Sequence, residues 1–328
     1  MAAKLIDNYQ RHLKYLRVSI TDRCNLECVY CRPGGLIPIL PHAEILSYEE
    51  ILRIVRVGLS LGISKIRITG GEPLVRRGAF DFLTKLAATN GIRDLSLTTN
   101  GVLLKDNTAR IREAGIHRIN VSLDTLDPQR YYRITGRDCF DRVWQGIEEA
   151  HRTGLFPIKI NVVVLRGIND DELTTLAGLS LKYPFHVRFI EYMPMGMAAE
   201  KEQAKTMLTP EIRKRIETLG TLIPVKHGAS DGPAERFRLE GGRGEIGFIS
   251  AISHHFCQHC NRLRLTASGQ LRSCLLSDRQ VDMKMPLRAG CSDADIADLF
   301  LKAVRHKPLA HCLATQQQIK GQMSAIGG

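Results

Sequence analysis

Apolar and polar positions alternate along Tyr15-Leu16-Arg17-Val18-Ser19-Ile20-Thr21, and the run is rich in β-branched residues, so it predicts a strand. The period then changes. Residues 47–61 repeat their apolar positions at helical spacing, and Ser47 with Glu50 fits a capping box. The same two periods keep alternating. Strands are predicted at 65–69, 94–98, 117–123, 158–165 and 186–192, with helices at 79–88, 105–114, 140–153 and 171–181 between them. Strands alternating with helices in this way imply a parallel sheet with right-handed crossovers. After Tyr192 the pattern breaks. Residues 193–206 are irregular and read as a loop. Residues 209–219 read as a helix, with Thr209 as N-cap and Pro210 at the first helical position. Short strands follow near 222–226, 236–239 and 245–249. The change divides the chain into an expected barrel unit, 1–225, and a smaller α+β unit, 226–328.

Unusual polar residues gather where the strands end: Glu72, Thr98, Asn100, Ser122, Asp124, Glu191 and Met193. In βα barrels the active site is built at those ends. Six βα units, where a full barrel has eight, describe a partial (β/α)6 TIM-type barrel open on one side. The same periodicity also fits a doubly wound open sheet. Gly242-Arg243-Gly244-Glu245-Ile246-Gly247 matches the letters of a dinucleotide fingerprint, but a strand-like run follows it where a helix is required. It reads as a glycine-rich hairpin.

A chain of 328 residues with 44% hydrophobic content can bury a large core. Lys and Arg number 46 against 34 Asp and Glu, a net +12, which favours an anionic partner without naming it. Aromatic residues make up only 6%, and no basic strip is interleaved with them, which counts against nucleic acid. Residues 1–14 do not read as a signal peptide, and no run approaches the ~18 apolar residues of a membrane span. The expected location is the cytoplasm, where thiols stay reduced and can hold metal.

Six of the nine cysteines fall in two triplets. Cys24, Cys28 and Cys31 are spaced C-x3-C-x2-C in the loop after the first strand. Thiolates are the usual ligands of iron–sulfur clusters, and three of them leave one iron of a cubane open. Cys257, Cys260 and Cys274 form the second set. The residues between Cys260 and Cys274 read as a hairpin turning at Ser268-Gly269, which returns Cys274 to the C-x2-C pair. A zinc site completed by His254, His255 or His259 competes for this second triplet. Cys139, Cys291 and Cys312 stand alone. Arg17 and Arg67 lie in the first two strands, and Arg262 and Arg264 alternate beside the second triplet. Guanidinium groups match phosphate oxygens in a fork, so the four suggest a highly charged phosphate ester.

The string Cys24-Asn25-Leu26-Glu27-Cys28-Val29-Tyr30-Cys31 resembles the signature of radical S-adenosylmethionine (SAM) enzymes. The resemblance becomes specific with Gly70-Gly71-Glu72-Pro73, Thr98-Thr99-Asn100-Gly101, Asn120-Val121-Ser122-Leu123-Asp124, Cys260-Asn261-Arg262-Leu263-Arg264, Cys274 and the terminal Gly327-Gly328. Together these are similar to the GTP 3′,8-cyclase family of molybdenum cofactor biosynthesis. The resemblance implies two [4Fe–4S] clusters, one on Cys24, Cys28 and Cys31 and one on Cys257, Cys260 and Cys274. It implies SAM contacts at Tyr30, Gly71, Ser122 and Met193, and GTP contacts at Arg17, Arg67, Thr98, Lys159, Arg262, Leu263 and Arg264. It also implies that Gly327 and Gly328 reach the active site, although Gly321-Gln322 departs from the family's Arg-Pro. The implied reaction is SAM cleavage to a 5′-deoxyadenosyl radical, hydrogen abstraction from C3′ of GTP, and C3′–C8 closure to 3′,8-cyclo-7,8-dihydro-GTP. The implied partners are a low-potential electron donor and a downstream cyclic pyranopterin monophosphate synthase, with no nucleic acid or membrane. The oligomeric state is left open, with a homodimer among the possibilities. A different radical SAM enzyme, an RNA modifier and a two-cluster electron carrier are the competing readings.

Overall fold

The computed structural model describes residues 4–32, 39–194, 205–226, 228, 232–311 and 323–327. Six strands run in parallel and in chain order: β1 Tyr15–Ser19, β2 Lys65–Thr69, β3 Asp94–Thr99, β4 Arg118–Ser122, β5 Ile158–Val164 and β6 His186–Glu191. Helices α1 Tyr48–Ser60, α2 Ala79–Ala87, α3 Thr108–Glu113, α5 Phe140–Arg152 and α6 Leu173–Lys182 connect them. Strand pleating sends alternate residues to opposite faces. Leu16, Val18, Ile66, Ile68 and Leu97 are fully buried in the apolar core with Ile51, Ile54, Phe82 and Leu83 of the helices. Arg17, Arg67 and Thr98, on the other face, line the cavity inside the curved sheet. Each buried Leu, Ile or Val side chain is worth about 1.5–3 kcal/mol, so this layer fixes which face looks inward.

Six ordered βα units with an inward polar face form the partial barrel, and its sheet does not stop at the sixth strand. β9 Glu245–Ile249 pairs in parallel with β6, and β10 Arg262–Leu265 pairs in parallel with β1. Hairpins continue outward from both, through β8 Glu235–Leu239 and β7 Leu222–Pro224 on one side, and β11 Gln270–Arg272 and β12 Val281–Asp282 on the other. The result is one sheet of twelve strands, in the order β12-β11-β10-β1-β2-β3-β4-β5-β6-β9-β8-β7. Strands from 226–328 thus flank both edges of the barrel strands.

Local expectations hold where local chemistry decides them. Ser47 and Glu50 form the reciprocal capping box of α1. The glycine-rich stretch is the β8–β9 hairpin, and the turn before β11 is closed by the Gly269 N–H on the Thr266 carbonyl, with Gly269 at φ 82°. Two details differ. Helix α4, Pro128–Thr135, was not expected; the Asp127 carboxylate caps it by accepting from Arg130 N–H. Thr209 is not an N-cap. Helix α7, Thr209–Ile216, has Leu208 at that position, and the Thr209 N–H donates to the buried Glu191 carboxylate at 2.7 Å. Glu191 also accepts from Ile252 N–H, Ser253 N–H and Ser253 Oγ–H, tying the end of β6 to the approach to the second cysteine triplet. Burial pushes its pKa up, but these donors outweigh that and hold it below the usual glutamate value. The expected loop at 193–206 lies mostly outside the described residues, as do Cys312 and Gly328.

Candidate active site

Both triplets open on one cavity of about 620 Å³ inside the sheet. Cys24, Cys28 and Cys31 enter it from the loop after β1. That loop is pinned by backbone bonds: Cys31 N–H and Arg32 N–H both donate to the Cys28 carbonyl, and Glu27 and Val29 N–H donate to carbonyls of Thr135 and Ile134 at the end of α4. The Cys24 sulfur accepts from Leu26 N–H at 3.4 Å and Asn100 Nδ2–H at 3.6 Å. Burial raises all three thiols, Cys31 to about 12, and Cys28 feels Asp124, Cys31 and Cys24 as further charges. Three half-buried thiols within electrostatic reach of one another resist ionisation unless a cation takes the place of their protons.

The second triplet faces the same space. Cys257 lies within a 3₁₀ turn, Phe256–His259, Cys260 caps its end, and Cys274 returns after β11. Cys257 is raised by burial, then by Cys274 and Cys260. Cys260 differs: burial opposes ionisation, but the Arg262 and Lys307 cations bring it down to about 6. Among the described residues no three Cys, His, Asp or Glu side chains close around a single metal ion. Cubane thiolates each take a different iron, so a cluster does not demand such closure. Of the three histidines considered for zinc, His255 lines the cavity, and His254 and His259 do not.

Most of the remaining expected residues converge here. Tyr30, Gly71, Ser122 and Met193 line the cavity, as do Arg17, Arg67, Thr98, Arg262 and Arg264. The Tyr30 hydroxyl donates to Asp124 at 2.7 Å. A Cβ on Gly71 would sit 2.3 Å from the Arg23 carbonyl oxygen, so only glycine allows that loop to pass. Glu72 is fully buried, accepts from Leu74 N–H, Thr99 Oγ–H and Asn100 N–H, and is pushed up to about 7 by burial. Two expected residues are not on the cavity wall itself. Leu263 points into the apolar core, and Lys159 lies on the same face of β5 as the lining Asn161 and Val163, toward the start of that strand. Lys159 is pulled down to about 6 by burial and by Arg188, Arg67, Arg118 and Lys65.

The chain's last described segment also enters the barrel. Helix Met323–Ile326 ends at a buried Gly327 with φ 79°. The Gly327 carbonyl accepts from Arg17 and Arg264 at 3.4 Å each. A Cβ there would lie 2.8 Å from Ser19 Cβ and 3.0 Å from Thr69 Cγ2. Burial and the neighbouring guanidinium of Arg262 bring Arg264 down to about 9. Cations crowded this closely favour an anion between them.

Residues 18–179 match the model of the radical SAM superfamily, and residues 185–313 match that of Molybdenum Cofactor Synthesis C. A protein of Thermodesulfovibrio yellowstonii named GTP 3′,8-cyclase is 50% identical over 98% of this chain and 99% of its own length. One of the same name from Moorella thermoacetica is 48% identical over 98% and 99%. The chain belongs to the GTP 3′,8-cyclase family. It is therefore a radical SAM enzyme, a class that uses SAM and an iron–sulfur cluster. Among solved structures, Streptococcus suis SuiB bound to S-adenosylmethionine matches with a TM-score of 0.61 at 14% identity, over 89% of this chain and 68% of that one. Native anSMEcpe with bound AdoMet matches at 0.58 and 16%, over 90% and 81%. These two show the radical SAM fold.

Sequence reasoning missed several residues of this site. Arg188 lines the cavity from β6, where a charged residue in a buried strand is the same signal that marked Arg17 and Arg67. Asn161 and His311 also line it. Arg11 and Lys307 sit behind the second triplet, and nothing local in the sequence marks either. No helix among the described residues is long and apolar enough to cross a membrane.

Proposed function

We propose that this chain converts GTP into 3′,8-cyclo-7,8-dihydro-GTP, the first step of molybdenum cofactor biosynthesis. The observation that carries the reading is a single cavity lined by both thiol triplets with arginines on the wall between them. Cys24, Cys28 and Cys31 would hold one [4Fe–4S] cluster and Cys257, Cys260 and Cys274 a second. With SAM bound there, the first would supply the electron that cleaves it to methionine and a 5′-deoxyadenosyl radical; hydrogen abstraction from C3′ of GTP and closure onto C8 would then need one further electron and a proton to give the 7,8-dihydro product. Tyr30, Gly71, Ser122 and Met193 would contact SAM. Arg17, Arg67, Thr98, Arg262 and Arg264 would hold the nucleotide, with Lys159 and the Leu263 backbone behind them. Fixed guanidiniums at the triphosphate keep C3′ within near-attack distance, and the enclosing sheet limits water. The reading calls for a low-potential electron donor and a downstream cyclic pyranopterin monophosphate synthase.

The test is an anaerobic incubation of iron- and sulfide-reconstituted protein with dithionite, SAM and GTP, read by mass spectrometry. Two cubanes give about eight irons per chain. 5′-Deoxyadenosine together with a product isomeric with GTP supports the proposal. 5′-Deoxyadenosine with unchanged GTP overturns the choice of substrate.

Lys159 adds a pH signature. Its pKa of about 6 leaves it mostly neutral at pH 7.5, and a triphosphate nearby would raise it. GTP binding should then take up a proton, and affinity should fall as pH rises from about 6.5 to 8.5. Calorimetry in buffers of different ionisation enthalpy reads the uptake directly. Lys159→Met should remove it; uptake that persists in the variant assigns the proton elsewhere.

A further inference from the structure

Lys307 follows helix Asp293–Arg305 and is only 4% exposed. Its ammonium has three N–H donors and no acceptor. One goes to the Ser273 carbonyl at 2.6 Å, one to the Arg262 carbonyl at 3.0 Å and one to the Cys260 sulfur at 3.6 Å. Arg262 stands two residues after Cys260, and Ser273 immediately precedes Cys274. All three donors are therefore spent on the frame of the second triplet.

The charge of Lys307 is the informative part. Arg11 also reaches this loop, donating from Nη1 to the Cys257 carbonyl at 2.5 Å, but the buried Asp7 carboxylate neutralises it at 2.6 Å. Among the described residues no carboxylate pairs with Lys307. Holding the two carbonyls alone would need only a neutral donor. A buried cation is costly without a counter-charge, and the groups within reach that can carry one are the thiolates themselves.

We infer that Lys307 is a counter-cation of the second triplet alongside Arg262, anchoring the Cys260 and Cys274 arms and raising the reduction potential of the cluster they hold. The inference rests on the reading of Cys257, Cys260 and Cys274 as cluster ligands. Net charge and hydrogen bonds to sulfur are two of the levers that set iron–sulfur potentials. A cation that donates to a ligand sulfur stabilises the reduced, more negative form. Its removal moves the potential downward.

The experiment compares full-length wild type with Lys307→Gln, Lys307→Met and Lys307→Arg, each reconstituted anaerobically. Iron is counted, and each cluster is titrated by electron paramagnetic resonance. The first cluster, recognised by its spectral response to SAM, is the internal reference. The expected result is a more negative midpoint for the second cluster in the Gln and Met variants, an unmoved first cluster, and recovery of most of the shift in the Arg variant. Gln keeps two N–H donors for the carbonyls, so it carries the measurement where Met sheds iron. An unchanged second midpoint at full iron content overturns the inference, and so do equal shifts in both clusters. Zinc at the second triplet of the wild type overturns the cluster reading itself, and the inference with it.

Discussion

Cys28→Ala should yield no 5′-deoxyadenosine above the level of iron-free protein, and its iron content should fall by roughly half. The residue is half-buried, and its backbone carbonyl already accepts two N–H groups, so that carbonyl is not free to take the thiolate's place. On the proposed ligand set, the two remaining thiolates would leave a cubane with a second exposed iron, open to solvent and oxidation. On the proposed mechanism the effect on turnover is all or nothing, because every later event would need the radical. Cys274→Ala provides the contrast. It should still cleave SAM and still lose the cyclised product, because its triplet faces the same cavity from the other side. The pair is read by counting iron and quantifying 5′-deoxyadenosine and product separately. SAM cleavage by Cys28→Ala with a normal rate would remove the first triplet from the mechanism.

Gly327→Ala should lower cyclisation by about 10²-fold while leaving the thermal midpoint nearly unchanged. The Cβ would meet Ser19 and Thr69 at 2.8 and 3.0 Å, and φ of 79° is strained for alanine by about 1 kcal/mol. Ser19 and Thr69 belong to adjacent strands at the centre of the sheet and cannot move apart cheaply. The tail must back out, which takes its carbonyl off Arg17 and Arg264. A displacement of about 1 Å at a positioning group costs on that order in rate. Few core contacts are involved, so the fold should tolerate it. Steady-state product formation and a thermal melt on the same sample make the comparison. Full activity would mean that the docked glycine has no part in turnover.

Much of this architecture was legible because its determinants are local. Alternation in 65–69 and 158–165 places the strands, and Ser47 with Glu50 starts α1 where expected. The cysteine spacings and the arginines at alternate positions pointed to a shared site that the sheet then assembled. What escaped was non-local or weakly periodic. Helix α4 spans only eight residues and announces itself mainly through Asp127-Pro128. The parallel pairing of β10 with β1 joins residues about 250 positions apart, and no window of sequence contains it. Lys307 reads as one more basic residue in Arg305-His306-Lys307 until its carbonyl and sulfur partners are known. Leu263 shows the limit of reasoning by motif. It lies between two inward arginines, and the pleat turns its side chain to the core.

That same pairing has a consequence during biosynthesis. Residues 15–19 leave the ribosome early, but their partners at 262–265 follow only after about 250 more residues. At ~5–20 residues per second, the first strand waits roughly 10–50 s with one edge uncovered. An open parallel edge carrying Leu16 and Val18 is a template for wrong partners, including a neighbouring nascent chain. Until β10 pairs with β1, the wall that carries the first triplet lacks the strand on one side of it.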